Sequence, residues 1–304
     1  MPAATAKEGR RRAGPRTGED PEPGRRRKPS RAQRAEAKRR EQIKKMRARA
    51  GSRYRVHYDI EGPRVRLGIA WFAGAFAAFA LGPVGVALYF GVAFAAAGSH
   101  ALRTWRARGA PVDPRVPLLG VAVVVAGAAV HPRLMGVALL GLTAAAVGLG
   151  ARDREAGEGA PAAFARASLV LQTALPTAVA GGCFVLLADL EPWAAVSLFL
   201  LTSAYETGDF LIGSGSTNSI EGPVAGGVAV LVVTLAIAAV GFPPFDVGQA
   251  TAFGLIVAPG AFAGQLLASV VLPHARALAP ALRRVDSLLL VAPIWYVGID
   301  LLVA

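Results

Sequence analysis

Four carboxylates and an arginine pair in the last third of the chain have the residue types for phosphate chemistry. Glu206 and Asp209 stand three residues apart in TSAYETGDFLIG, so a helix through them puts both carboxylates on one face. Glu221 follows a polar loop, and Asp286 follows Arg283-Arg284-Val285. Carboxylates gathered in one place can hold Mg²⁺, which favours one or two of them together with substrate phosphates. Arg284 can hold a phosphate through its planar fork. Each acid also has a plainer use. Asp286 and Glu221 suit helix starts, where the dipole favours an anion, and Glu206 can reach out from a span toward water. Four of them expected on one side of a membrane weigh toward a site.

Other residue patterns are weaker. Gly213-Ser214-Gly215-Ser216-Thr217 lacks the Gly-Lys-Ser/Thr of a phosphate-binding loop and reads as a flexible turn. Cys183, the single cysteine, lies in an apolar run and reads as a small buried hydrophobe, which excludes a disulfide framework. His131 and His274 have no metal-ligand neighbours at fixed spacing. Gly-x-Ser-x-Gly and His-Glu-x-x-His do not occur.

The elements that must position the acids are apolar. Hydrophobic residues make up 54% of the 304-residue chain, which reads as a polytopic membrane protein. Nine apolar runs predict spans near 66–81, 83–99, 117–131, 134–150, 168–189, 193–212, 222–241, 248–272 and 287–304. The first four are short and rich in Ala and Gly, as close helical hairpins would be. Charge sets their direction. With the amino terminus in the cytoplasm, Arg103, Arg106, Arg108, Arg115, Arg152, Arg154, Arg166, Arg276, Arg283 and Arg284 all fall on the cytoplasmic side. The other side receives Arg133 with Asp189, Glu191 and Asp246, and the positive-inside rule is obeyed throughout. Glu206, Asp209, Glu221 and Asp286 are then all expected at the cytoplasmic interface.

Residues 1–55 differ in kind. They hold 20 Lys and Arg against 6 Asp and Glu, whereas residues 56–304 hold 13 against 14. The net charge of +13 therefore belongs to the tail, and a basic fold that binds nucleic acid throughout is excluded. The composition of 1–30 predicts disorder, because too little apolar surface offsets the ordering entropy. Residues 31–49 predict a short basic helix, with Glu36 and Arg40, and Glu41 and Lys45, at favourable spacing. Such a tail fixes topology and can dock on anionic lipid headgroups at about 1 kcal/mol per basic residue near the surface. No signal-peptide pattern is present in it.

The acid-bearing segments resemble the phosphatidate cytidylyltransferase (CDP-diacylglycerol synthase) family. That family carries an Asn-Asp-Thr-Gly-Ala-Tyr-type segment, then Ser-Pro-Lys-Lys-Thr-x-Glu-Gly, then a carboxyl-terminal Asp-Arg-x-Asp-Ser before a last span. This chain reads Tyr205-Glu206-Thr207-Gly208-Asp209-Phe210 with Gly213, then Ser216-Thr217-Asn218-Ser219-Ile220-Glu221-Gly222 with Ala225-Gly226, then Arg283-Arg284-Val285-Asp286-Ser287. The resemblance covers roughly residues 168–304. It departs from the family at the Lys-Lys pair, replaced by Thr217 and Asn218, and at a Gly-Asp, replaced by Gly264-Gln265. The first Asp of Asp-Arg-x-Asp is Arg283, and the Lys-Arg, Lys-Asp and His-Gly-Gly elements are missing around Leu272-Pro273-His274.

The resemblance implies an all-α integral membrane protein of about nine spans. Its parts are a basic tail at 1–55, amino-terminal membrane helices at 56–166 and a cytidylyltransferase-like domain at 167–304. It implies a Mg²⁺-dependent transfer of a cytidylyl group from CTP to a lipid phosphate in phospholipid synthesis. Glu206 and Asp286 would hold the metal, Arg284 would contact phosphate, and Asp209, Ser219 and Glu221 would meet substrate. The missing cations and acids imply an alternative, a non-catalytic protein that keeps the fold for lipid binding or scaffolding. Expected partners are membrane lipid, CTP if the chain is catalytic, and anionic headgroups at the tail, with a homodimer left open. A secondary transporter is disfavoured, since no inverted repeat is visible and the acids sit away from mid-span.

Overall fold

The computed structural model describes residues 64–155, 159–214, 216 and 220–303. The tail and Ser219 lie outside them. Every regular element among the described residues is a helix: α1 Arg64–Ala80, α2 Gly82–Arg106, α3 Arg115–Val130, α4 Pro132–Glu155, α5 Ala160–Leu190, α6 Pro192–Gly213, α7 Glu221–Val240, α8 Val247–Val271, α9 Leu282–Val285 and α10 Leu288–Val303.

Among the described residues, six helical segments are long and apolar enough to cross a membrane: 82–106, 132–152, 160–190, 221–240, 247–271 and 282–302. Helical segments therefore stand where nine spans are expected, but a count of nine spans is not established. The apolar stretches Leu67–Ala80 and Arg115–Val130 are shorter than a hydrocarbon core requires. Helix α6 is long enough, yet Glu206 and Asp209 make its last two turns polar. Large apolar residues face outward along the long helices, among them Val92, Leu140, Val232 and Leu255. An apolar exterior over an apolar interior is the pattern of helices solvated by lipid.

Most of the interior is one core to which every helix from α1 to α10 contributes, with a smaller cluster of Leu102, Val112, Ala146 and Val170 beside it. On one side Trp71, Phe79, Phe90, Phe184 and Phe199 interlock α1, α2, α5 and α6, with Phe90 and Phe184 centroids 4.3 Å apart. On the other, Phe245, Phe253 and Trp295 join α8 to α10. Helix α5 runs without a break through residues 166 and 167.

Small residues bring the site helices together. A Cβ on Gly208 of α6 would lie 2.6 Å from the Ala225 carbonyl oxygen of α7, and one on Gly226 would lie 2.8 Å from the Tyr205 ring. Helices α6 and α7 thus pack nearly backbone to backbone, as small-residue faces permit. Gly264 of α8 lies directly against the Asp286 carbonyl, where any side chain would collide. At its amino terminus α8 is held by a capping box, with the Asp246 carboxylate accepting from the Gln249 N–H at 2.7 Å and the Asp246 N–H donating to Gln249 Oε1 at 3.0 Å.

Candidate functional site: a paired acid cluster at one pole

Side-chain bonds between distant segments define one pole of the bundle. The Trp105 indole N–H, near the end of α2, donates to the Val271 carbonyl at the end of α8 at 2.9 Å. Gln172, in the early turns of α5, donates to the Val270 carbonyl at 3.1 Å. The Ala281 N–H, just before α9, donates to His100 Nδ1 of α2 at 3.4 Å. The last turns of α2 and α8, the early turns of α5 and the segment 272–286 therefore share this pole.

Three of the four predicted acids meet there. Glu206 and Asp209 share one face of α6, and Asp286 arrives at the α9–α10 junction, packed against α8 at Gly264. All three lie within electrostatic reach of one another. Asp209 and Asp286 are buried, 2% and 4% exposed, and Glu206 is half-buried. Arg284 is half-buried within electrostatic reach of Glu206 and of Tyr89, and its guanidinium lies beside Gly68 of α1. Glu221 stands apart in character: it is exposed in the first turn of α7, the position the dipole favours for an anion.

Each acid in the cluster has a protein partner. The Ser287 hydroxyl donates to Glu206 Oε1 at 2.5 Å. The Gln265 amide donates to Asp209 Oδ2 at 3.0 Å. The Arg283 guanidinium pairs with Asp286 Oδ2 at 3.3 Å. It also donates to Ser269 Oγ at 3.2 Å and to the Ala275 carbonyl at 3.0 Å. Arg283 thus ties α9 to α8 and to the loop between them, and it places a cation against Asp286. Three buried polar atoms here find no partner among the described residues, the Tyr205 hydroxyl, Gln265 Oε1 and Arg283 Nε.

This donor set does not suit a divalent metal. Mg²⁺ needs carboxylate oxygens free to turn toward it in near-octahedral geometry. Here a guanidinium and an amide already hold Asp286 and Asp209. Among the described residues no group of three or more His, Cys, Asp or Glu is arranged to hold a metal ion.

Sequence reasoning singled out Glu206, Asp209, Asp286 and Arg284 but gave no role to Gln265, Arg283, Ser287, Ser269 or Tyr205. Arg283 had a local signal, its i,i+3 spacing to Asp286. Gln265 had none, because only the docking of α8 on α6 brings its amide to Asp209. Comparison with family models, with curated proteins and with solved structures gives no match.

Proposed function

We propose that this chain is a multi-pass membrane protein on the plan of the phosphatidate cytidylyltransferases, kept as a non-catalytic lipid-binding module. Its acid-bearing pole faces the cytoplasm, the side assigned by the arginine-rich loops. One observation carries the reading: the buried acids are held by protein groups. Arg283 and Gln265, which replace two acids of the family pattern, are the residues that hold Asp286 and Asp209. Nucleotidyl transfer needs concentrated positive charge on the reacting phosphates. A cluster in which a protein donor already engages an oxygen of each carboxylate is less suited to assembling it.

The second reading, cytidylyl transfer from CTP to a lipid phosphate, is favoured by the convergence of Glu206, Asp209 and Asp286 with Arg284 beside them. In it the lipid phosphate attacks the α-phosphorus of CTP and pyrophosphate leaves. The two readings part in one assay. Purified protein in detergent is given a short-chain phosphatidate and CTP, with Mg²⁺, Mn²⁺ or EDTA. The module reading expects phosphatidate binding that EDTA does not change, and no pyrophosphate release. Pyrophosphate release that requires the metal, and that Glu206→Gln or Asp286→Asn abolishes, would establish the transferase instead.

A further inference from the structure

The chain between α8 and α9 is a strap on the acid-bearing pole. Residues 272–281 form no helix, and the side chains they bury between Leu272 and Leu282 are Ala275, Ala277 and Ala279. Alanines bring little apolar area, and segments with few buried apolar contacts are the ones that open locally. Polar ties to distant residues therefore matter here. The Trp105 indole N–H donates to the Val271 carbonyl at the start of the strap, and the Arg283 guanidinium to the Ala275 carbonyl at its middle. At its end the Ala281 N–H donates to His100 Nδ1 of α2 at 3.4 Å.

The tie at Ala281 depends on the charge of the ring. An imidazole nitrogen accepts a hydrogen bond only when the ring is neutral; in the imidazolium both nitrogens are donors. A proton on His100 therefore sets a donor against the Ala281 N–H. The charges around the ring are cations. Arg103 stands one turn along α2 and acts on His100, and no carboxylate among the described residues does so. Helix α9, which packs on α2, brings Arg283 and Arg284, whose guanidiniums meet Asp286 and lie beside Gly68. The strap itself carries His274 and Arg276, and Arg276 acts on His274.

We propose that His100 is a proton-operated latch on this strap. Neutral, it holds Ala281, and with it the start of the helix that presents Arg283 and Asp286 to the acid cluster. Charged, it lets that end go, so acid loosens the strap. The sign follows from linkage. A proton that binds the open form and not the latched one favours opening as pH falls. With the released ring at the ordinary histidine value of about 6.5, the open population rises about tenfold between about pH 7.5 and about pH 5.5. The latch acts on the seating of α9 and stands whether or not the acid cluster is catalytic.

The test is hydrogen–deuterium exchange of the full-length protein in detergent, read as protection factors corrected for the intrinsic rate at each pH. Peptides covering 272–286 report the strap, and peptides from α7 serve as the control. The expected result is about a tenfold loss of protection in the strap from about pH 7.5 to about pH 5.5, with α7 unchanged. His100→Gln keeps an acceptor for the Ala281 N–H and takes up no proton, so it should hold protection at neutral pH and lose the response to acid. His100→Asn is measured beside it as a second neutral acceptor. His274→Gln removes the strap's own histidine and should keep the response. A wild-type strap whose protection does not change with pH would overturn the proposal. So would glutamine and asparagine variants that respond as wild type does, or a response lost in His274→Gln. Loss of protection in α7 alongside the strap would overturn it as well, because acid would then be unfolding the bundle as a whole.

Discussion

Replacing Arg283 with alanine tests how far the fold depends on the pairing of Asp286. The guanidinium is 17% exposed and the carboxylate side chain 6% exposed, so their charges are largely withdrawn from water. Removing one partner of a buried pair costs roughly 3–5 kcal/mol, because the other charge stays buried and unpaired. The bonds to Ser269 Oγ and the Ala275 carbonyl are lost as well, which places Arg283→Ala at the upper end. For a chain with 150–250 ordered residues, 1 kcal/mol moves the midpoint by about 2–4 °C, so a loss near 5 kcal/mol should put the variant's melt roughly 10–20 °C below wild type. The double variant Arg283→Met with Asp286→Leu removes both charges and should recover most of the loss, since well-packed apolar replacements of buried pairs are often neutral. The assay is thermal unfolding in detergent, read by loss of the monodisperse peak on size exclusion. An Arg283→Ala midpoint within about 2 °C of wild type would refute the reasoning, as would a double variant less stable than the single.

Further outcomes follow from the packing and the poles. Tyr205→Phe removes a buried hydroxyl with no partner among the described residues, so its midpoint should match or exceed that of wild type. Gly208→Val should cost at least 1–3 kcal/mol by forcing α6 from α7, roughly the penalty of overpacking, whereas Gly136→Ala, with open space around it, should be silent in the same melt. A cysteine replacing Asp113 in otherwise cysteine-free protein should react with an impermeant maleimide from the cytoplasmic face. One replacing Asp246 should react only from the opposite face; the reverse pattern would invert the assigned orientation.

The helices were readable because composition carries them. Runs free of charge and bounded by Gly-Pro, His-Pro or arginine-rich loops located α1 through α8 and α10. Their ends were less readable. Helix α5 begins at Ala160, ahead of the apolar run from 168, because APAAFARA contains good helix formers and its proline falls in the first turn, where a missing N–H costs nothing. Helix α2 continues through SHALRTWR to Arg106 for the same reason: hydropathy falls there but helix propensity does not.

The site was legible in part. The i,i+3 spacing of Glu206 and Asp209 and the side assigned by the arginines were enough to anticipate a gathering with Asp286. The partners were hidden. Gln265 meets Asp209 across 56 residues, and Ser287 meets Glu206 across 81, contacts that arise only from the close docking which Gly208, Gly226 and Gly264 allow. Glu221 looked equivalent to the other acids in sequence, yet it stands exposed in the first turn of α7.

The central claim is that the acids of this pole are satisfied by the protein itself. Its most direct test is a Mn²⁺ titration of purified protein followed by electron paramagnetic resonance, with and without CTP. The account predicts a free-ion signal that rises in proportion to added Mn²⁺, the same for wild type, Glu206→Gln and Asp286→Asn. Stoichiometric loss of that signal in wild type, restored in either variant, would contradict it.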